Sequence, residues 1–282
     1  MELPARFGKY ELMRRLAKGG MAEVFLARSF GVEGFERHLV VKRILPELAS
    51  SPQFVGLFIK EAKISASLSH PNIVQIYELG RVSSDHYIAM EFIHGRDLTR
   101  VNKILRPDGE RIPVPLAVFI VASILRGLHH AHTRSDAQGR TLNLIHRDVS
   151  PHNVMISFQG EVKLFDFGIA RLVGESEPVE GMPGGGKYAY MSPEQARGEE
   201  VDHRSDLFSL GLIAYELFTG SPAYRVPEDS SDPLGDVFEA IEEGALQEQV
   251  RELESKLPSA GPVLAKLLQS SARNRYQNGQ DL

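Results

Sequence analysis

The sequence has no cysteine among its 282 residues. This absence excludes disulfide bonds and thiol chemistry and is typical of proteins in a reducing compartment, so we expect a cytoplasmic protein. The sequence also has no excess of positive charge, since 37 acidic residues outnumber 32 basic ones and give a net charge of -5. A chain of this charge is not expected to have nucleic acid or an anionic membrane as its main partner.

Long apolar segments are missing as well. The first six residues contain no apolar core of a signal peptide. The longest apolar stretch, residues 113–125, is too short and too rich in proline to span a bilayer. We interpret it as a buried helix that starts after Pro115, and we expect no membrane segment within this sequence. The last residues resemble the start of another helix, so we expect a longer natural chain, and a membrane anchor beyond Leu282 stays open.

The apolar pattern predicts two lobes of different character. Alternation around glycines predicts strands and hairpins in residues 10–41, and a 3.6-residue period predicts a helix at 52–68. Further predicted elements are strands at 73–77, 87–92, 144–145, 154–156 and 162–165, and an exposed, charged helical stretch at 229–256. Helices dominate after Pro115. The expected fold is α+β, with a small β-rich lobe (1–92) carrying one main helix, a connector (93–97) and a larger, mostly helical lobe (98–282).

An acidic residue lies on the apolar stripe of the first predicted helix. Glu61 is three residues from both Phe58 and Ile64. A carboxylate on a buried face is costly unless it is paired. Lys42, which follows a strand-like segment, is the natural partner. The alternative is that Glu61 reaches solvent from the edge of the stripe.

Three oxygen-bearing side chains follow strand-like segments in the second lobe. Asp148 and Asn153 lie on one tight loop that Pro151 stiffens, and Asp166 follows the strand at 162–165. A carboxylate on such a loop can orient a hydroxyl and accept its proton. An amide oxygen and a second carboxylate are hard ligands that suit magnesium bound together with phosphates.

Five motifs occur in a fixed order along the chain: Lys42, Glu61, the run from His146 to Asn153, Asp166-Phe167-Gly168, and Ser192-Pro193-Glu194. Together they resemble the eukaryotic-like protein kinases, most closely the bacterial Ser/Thr kinases. The resemblance covers nearly everything from Tyr10 to Leu282. It implies one bilobal protein kinase domain that transfers the γ-phosphoryl group of ATP to hydroxyls of protein substrates, including its own, in bacterial signalling.

The resemblance also implies roles for individual residues. Lys42 would grip the α- and β-phosphates, Asp148 would be the catalytic base, and Asn153 and Asp166 would bind Mg2+ or Mn2+. The implied adenosine site consists of Leu16, Val24, Val40 and Met155 around the base, Met90 as gatekeeper, the backbone of Glu91 and Ile93, and Asp97 at the ribose. Supporting roles fall to Arg147 (activation loop), the pair Glu194–Arg275, Asp206 below the catalytic loop, and a hydrophobic spine of Phe167, His146 and Ile76. Ser65 falls where that spine usually has a larger apolar side chain.

Four departures from the family pattern affect the expected chemistry. The three spaced glycines of the phosphate loop appear as Ala17, Gly19 and Ala22 with an extra Gly20, so we expect weaker ATP binding. Ser150 replaces the usual catalytic-loop lysine, whereas Lys187 replaces a threonine, and we interpret this exchange as a catalytic ammonium moved to the activation segment. That segment contains no threonine, and Ser176 near three glutamates is the candidate phosphorylated switch. The alternatives are that the glutamates supply this charge permanently or that the segment is a solvated acidic loop.

Other interpretations stay open. A pseudokinase or scaffold would bind nucleotide weakly and act through a regulatory protein partner, and the altered glycine loop and Ser150 favour it. A small-molecule kinase would share the fold, but the segment at 192–194 resembles a platform for protein substrates. The catalytic loop lacks the arginine-bearing pattern of tyrosine kinases, which favours Ser/Thr acceptors. His129 and His132 have helical spacing without further ligands, so we expect no zinc site.

Overall fold

The computed structural model describes residues 3–105, 111–136, 138–167, 188–227 and 230–282. These residues form two compact units. The first comprises residues 3–94, and the second comprises residues 95–167 together with the described part of 188–282. Each unit is presented separately below.

The first unit is built on a six-stranded antiparallel sheet with the order β1-β2-β3-β4-β6-β5. Its strands are β1 Ala5–Phe7, β2 Tyr10–Lys18, β3 Ala22–Phe30, β4 Glu36–Ile44, β5 Ile76–Val82 and β6 Asp85–Met90. Alternating apolar residues bury one set of side chains, including Leu12, Phe25 and Val41. Glu78 binds the hydroxyls of Tyr10 and Tyr87 at 2.8 and 2.9 Å and so joins β2 to β6.

Helix α1 (Pro52–Ser67) is the one main helix of the described part of this unit. Pro52 stands at the first position of the helix, where the missing N–H costs nothing. The helix ends at Ser67, one residue before the predicted end. The strand predicted at 73–77 is placed wrongly, since β5 starts only at Ile76. The reason is a turn, in which the Ile73 N–H donates to the carbonyl of His70 at 3.0 Å.

The second unit contains a small sheet of β7 (Gly95–Asp97), β8 (Val154–Ser157) and β9 (Val162–Leu164). Its described helices are α2 Leu98–Leu105, α3 Val114–His132, α4 Pro193–Ala196, α5 His203–Thr219, α6 Pro233–Glu242, α7 Ala245–Lys256 and α8 Gly261–Leu267. Gly95 is required where it stands, because a Cβ there would lie 1.9 Å from the carbonyl oxygen of Ile156. The backbones of β7 and β8 therefore approach closely beside Asp97.

Helix α3 is longer than predicted, and it begins at Val114 rather than after Pro115. Among the described residues it is the one helix that could cross a membrane by length and composition alone. Core helices of folded domains pass the same test, and α3 packs against α5 and β9 and buries Ile120, Ile124 and Leu128. This packing is that of a core helix.

Two predictions for the second unit are wrong. Residues 144–145 are not a strand, although Leu144 is buried; their apolar character reflects this burial. The stretch 229–256 is not simply exposed, since α6 and α7 bury Val237, Leu246 and Val250 in the core. Charged residues on the outer faces of both helices masked this amphipathic pattern.

Candidate active site

In the first unit, strand β4 and helix α1 bring a lysine and a glutamate together. The Lys42 Nζ lies 2.7 Å from the Glu61 Oε1, and the two side chains are 13% and 16% exposed. The predicted pair therefore forms. The sheet fixes the lysine and the amphipathic helix fixes the glutamate, because Phe58, one turn before Glu61, is fully buried.

The predicted adenine-binding residues of the first unit share one face of the sheet. Val24 is opposite Lys42, and Val40 is opposite Met90, and directly opposed residues point to the same face. Leu16 at the end of β2 is 40% exposed. Gly19 donates its N–H to the Ala22 carbonyl at 2.9 Å and closes the turn between β2 and β3, where Gly20 also lies. The altered glycine loop still connects the two strands as a hairpin closed by this hydrogen bond.

The segment after β6 has one backbone donor already in use. The Glu91 N–H donates to the Gln75 carbonyl at 2.9 Å, so its carbonyl is the backbone group suited to adenine. Ile93 is buried. In the second unit, the Asp97 Oδ1 accepts the Arg100 N–H at 2.9 Å and caps α2. Met155 stands opposite Asp97 in the pairing of β7 with β8.

The loop with Asp148 is held by its own asparagine. The Asn153 Nδ2 donates to the backbone carbonyl and to the Oδ2 of Asp148, both at 2.8 Å. Pro151 opens a short 3-10 turn that ends at Asn153. Because the amide nitrogen serves Asp148, the Oδ1 of Asn153 is the atom suited to a metal ion.

Asp166 lies beside this loop. The Phe165 N–H donates to the Asn153 carbonyl at 3.1 Å. Because Asp166 directly follows Phe165, this hydrogen bond holds the two candidate metal ligands, Asn153 and Asp166, close together. Asp166 is partly exposed and has a φ of 54°, a conformation that aspartate adopts more readily than most residues. One amide oxygen and one carboxylate fit a hard divalent cation that takes further oxygens from phosphates.

The buried side chain of His146 connects the loop of Asp148 with the residue before Asp166. Its Nδ1 accepts the Asp148 N–H at 3.3 Å, and its Nε2 lies 3.1 Å from the Phe165 carbonyl. Complete burial lowers the pKa of His146 despite nearby carboxylates. A neutral imidazole with its proton on Nε2 satisfies both contacts. The ring packs on Phe167 with centroids 4.5 Å apart, as the predicted spine requires, while Ser65 is buried and Ile76 partly buried in the first unit.

Asp206 on α5 supports the loop from below, as predicted. Its Oδ2 accepts the His146 N–H and its Oδ1 the Arg147 N–H, both at 2.8 Å. The His132 Nε2 lies 2.7 Å from the Oδ2. Burial opposes ionisation of Asp206, but the hydrogen bond and charge of His132 outweigh it and hold its pKa low. His132 is therefore a supporting residue that spacing alone did not reveal.

A buried ion pair ties the residues after the activation segment to the end of the domain. The Arg275 guanidinium binds both Glu194 oxygens at 2.6 and 2.8 Å, as predicted. Ser205 also donates to Glu194. Burial opposes ionisation of Glu194, but the bonds from Arg275 and Ser205 hold its pKa below 4.5.

One contact in this region was missed. The Tyr190 hydroxyl donates to Glu216 on α5, and Glu216 is only 3% exposed. The signal was present, since Glu216 interrupts the apolar run of α5 as Glu61 interrupts that of α1. Three other predicted residues, Lys187, Ser176 and Gly168, lie outside the described residues.

Comparison with known proteins identifies the family of this chain. Residues 10–280 match the model of the protein kinase domain. The chain belongs to the protein kinase family. Proteins of this family use ATP and a divalent metal ion and act on protein substrates, and Asn153 and Asp166 are the candidate oxygen ligands for such an ion.

Named relatives are bacterial kinases. The kinase chain is 42% identical over 277 residues to the tyrosine-protein kinase MasK of Myxococcus xanthus and 36% identical over 279 residues to the serine/threonine-protein kinase PknB of Mycobacterium leprae. Each match covers 97% of the chain and 42% of the relative, so the chain spans less than half of their length. The kinase domain of Mycobacterium tuberculosis PknI is similar in structure, with a TM-score of 0.68, 26% identity and coverage of 100% of this chain and 96% of that one.

Proposed function

We propose that this chain is an ATP- and Mg2+-dependent protein kinase that phosphorylates Ser/Thr hydroxyls, including its own, in bacterial cytoplasmic signalling. The observation that carries the proposal is the catalytic loop. Asn153 holds the carboxylate of Asp148 while Asp206 holds the backbone of the two preceding residues. A rigid scaffold of this kind is what a positioned general base needs.

Each part of this chemistry has a candidate residue. Asp148 orients the acceptor hydroxyl and takes its proton as the oxygen attacks the γ-phosphorus and the bond to the β-phosphate oxygen breaks. Lys42, steadied by Glu61, binds the α- and β-phosphates. Asn153 and Asp166 would hold Mg2+ or Mn2+, which neutralises charge on the phosphates. The adenosine residues are those assigned above, and the whole chain is interpreted as one kinase domain.

Position 150 lacks the lysine that would neutralise the transferring group. Ser150 is 1% exposed, and its hydroxyl has no hydrogen-bond partner among the described residues. A serine hydroxyl carries no charge, so Ser150 does not replace the ammonium of that lysine. We assign the missing ammonium to Lys187, and expect Lys187→Met to lower turnover by about tenfold or more, as removal of a charge stabiliser does. Unchanged turnover in this variant would overturn the assignment.

The acceptor class has two candidates. The match to PknB and the protein-substrate segment favour serine and threonine. The relative MasK is named a tyrosine-protein kinase. At position 150 this chain also has a serine, which is smaller than the lysine that Ser/Thr kinases carry there. Tyrosine is therefore the second candidate acceptor. Phosphoamino-acid analysis of the product separates the two.

The test is incorporation of labelled phosphate from MgATP, compared between the wild-type chain and Asp148→Asn. The proposal predicts autophosphorylation in the wild type and a loss of about 10²–10⁴-fold in the variant, the usual effect of removing a general base. Nucleotide binding by thermal shift without any incorporation would instead support a pseudokinase that acts through a partner protein. Mapping the phosphorylated residues would show whether Ser176 is a switch.

A further inference from the structure

The exposed side of the catalytic loop carries a histidine that the proposed chemistry does not use. In the run from residue 146 to 154, the side chains that are not buried are Arg147, Asp148 and His152. An acceptor hydroxyl must reach Asp148, so the residues beside that hydroxyl pass over the same exposed side. His152 is thus placed to contact the acceptor peptide rather than the nucleotide.

Helix α2 fixes the orientation of this histidine. The Thr99 Oγ1 lies 2.8 Å from the His152 Nδ1, and α2 packs along the turn that contains His152. A hydrogen bond at Nδ1 sets the tautomer and the ring plane. Thr99 and His152 therefore join α2 to the acceptor side of the loop.

The same helix presents basic side chains next to this contact. Lys103 is four residues from Thr99, which places the two on one face of α2, and Arg100 is three residues from Lys103. Both basic residues are exposed, and neither forms a salt bridge with any residue that the structure describes. Among the described residues of this segment, 95–105, the one acidic side chain is Asp97, and its carboxylate accepts the Arg100 N–H.

We propose that His152, Arg100 and Lys103 form an acceptor-binding surface that selects peptides with acidic residues beside the phosphorylated hydroxyl. The inference rests on the proposed kinase activity and adds its substrate class. A solvent-exposed ion pair changes an equilibrium about two- to fivefold, so these three positions together should give a preference of about tenfold. High salt weakens this preference, because exposed charges are screened.

The test uses three peptides with one serine flanked on each side by two glutamates, two lysines or two alanines. For the wild type we expect kcat/KM to be about tenfold higher for the glutamate peptide than for the lysine peptide, with the difference mainly in KM. The double variant Arg100→Glu/Lys103→Glu should invert this order. Arg251→Glu, the same charge change on the exposed side of α7, should keep the wild-type order.

A second readout separates this inference from the kinase activity. Fluorescein-labelled peptides with alanine in place of the serine are titrated with each protein, and anisotropy reports binding without catalysis. Tighter binding of the glutamate peptide, reversed in the double variant, supports the surface even if phosphorylation is absent. Phosphorylation of all three peptides at equal kcat/KM, or equal binding in the anisotropy assay, would overturn the inference and leave the kinase proposal standing.

Discussion

The carboxylate of Asp206 holds Arg147 in a backbone conformation that arginine rarely adopts. Arg147 has a φ of 65°, and its N–H donates to the Asp206 Oδ1 at 2.8 Å. A non-glycine residue in this region costs on the order of 1–3 kcal/mol and persists only where its surroundings enforce it. The residue before the proposed base is therefore strained, and a buried carboxylate from another helix maintains that strain.

Replacement of this carboxylate should release the catalytic loop. Asp206→Asn keeps the size but sets an amide group against two backbone N–H donors and His132, so one donor loses its acceptor. We expect a loss of about 3–5 kcal/mol of unfolding free energy, as for a broken buried charge pair, and a lower kcat. Urea unfolding and steady-state kinetics measure both. A variant with full stability and unchanged kcat would show that the loop does not depend on Asp206.

The pair of Lys42 and Glu61 should matter more for activity than for stability. Glu61→Gln keeps the shape but removes the charge that orients the lysine. Since a hydrogen bond to a charged group is worth about 1.5–3 kcal/mol, we expect kcat/KM for ATP to fall by about ten- to a hundredfold. Both side chains retain some exposure, so the melting temperature should change little. Glu161→Gln, on an exposed residue after β8, is the matched control and should leave both quantities unchanged.

Glu194 should make the stability of the domain sensitive to acid. Its pKa is held below 4.5 in the folded protein, so its stabilising contribution is fully present above pH 4.5 and is lost as the pH falls through the lower, folded-state value. Glu194→Gln lacks this contribution and should be about 3–5 kcal/mol less stable at neutral pH. The difference between wild type and variant should shrink below pH 4.5. A difference that stays constant down to pH 3 would contradict the ionised pair.

Gly95 should tolerate no side chain. A Cβ at this position meets the Ile156 carbonyl oxygen at 1.9 Å and the Ile156 carbonyl carbon at 2.7 Å, and backbone atoms cannot move aside as a flexible side chain can. We expect Gly95→Ala to lower the unfolding free energy by at least about 1–3 kcal/mol. Gly56→Ala is the control, because nothing lies within 4 Å of its added methyl group and alanine favours a helix by about 0.5–1 kcal/mol. Thermal denaturation of both variants checks this pair of opposite effects.

Local patterns in the sequence predicted much of the architecture and the pairing of Lys42 with Glu61. The glutamate on the apolar stripe of α1 predicted its pairing with Lys42, since a buried carboxylate needs a cation. Polar residues next to strand-like segments marked Asp148, Asn153 and Asp166 as candidates, and their catalytic and metal-binding roles stay predictions. The wrong predictions at 73–77 and 144–145 share one cause: short apolar runs do not distinguish a strand from a buried turn or loop.

The sequence by itself determined the two-lobed pattern of elements, the family and the identity of the chemical groups, because these depend on periodicity and on the order of motifs along the chain. Only the tertiary structure decided how those groups are held. The contacts of Asp206 with His132 and Arg147, of Tyr190 with Glu216, and of His152 with Thr99 join residues between 26 and 74 positions apart. Packing of α3, α5 and α2 against the loops brings these residues together, and no local pattern in the sequence specifies which helix faces which loop.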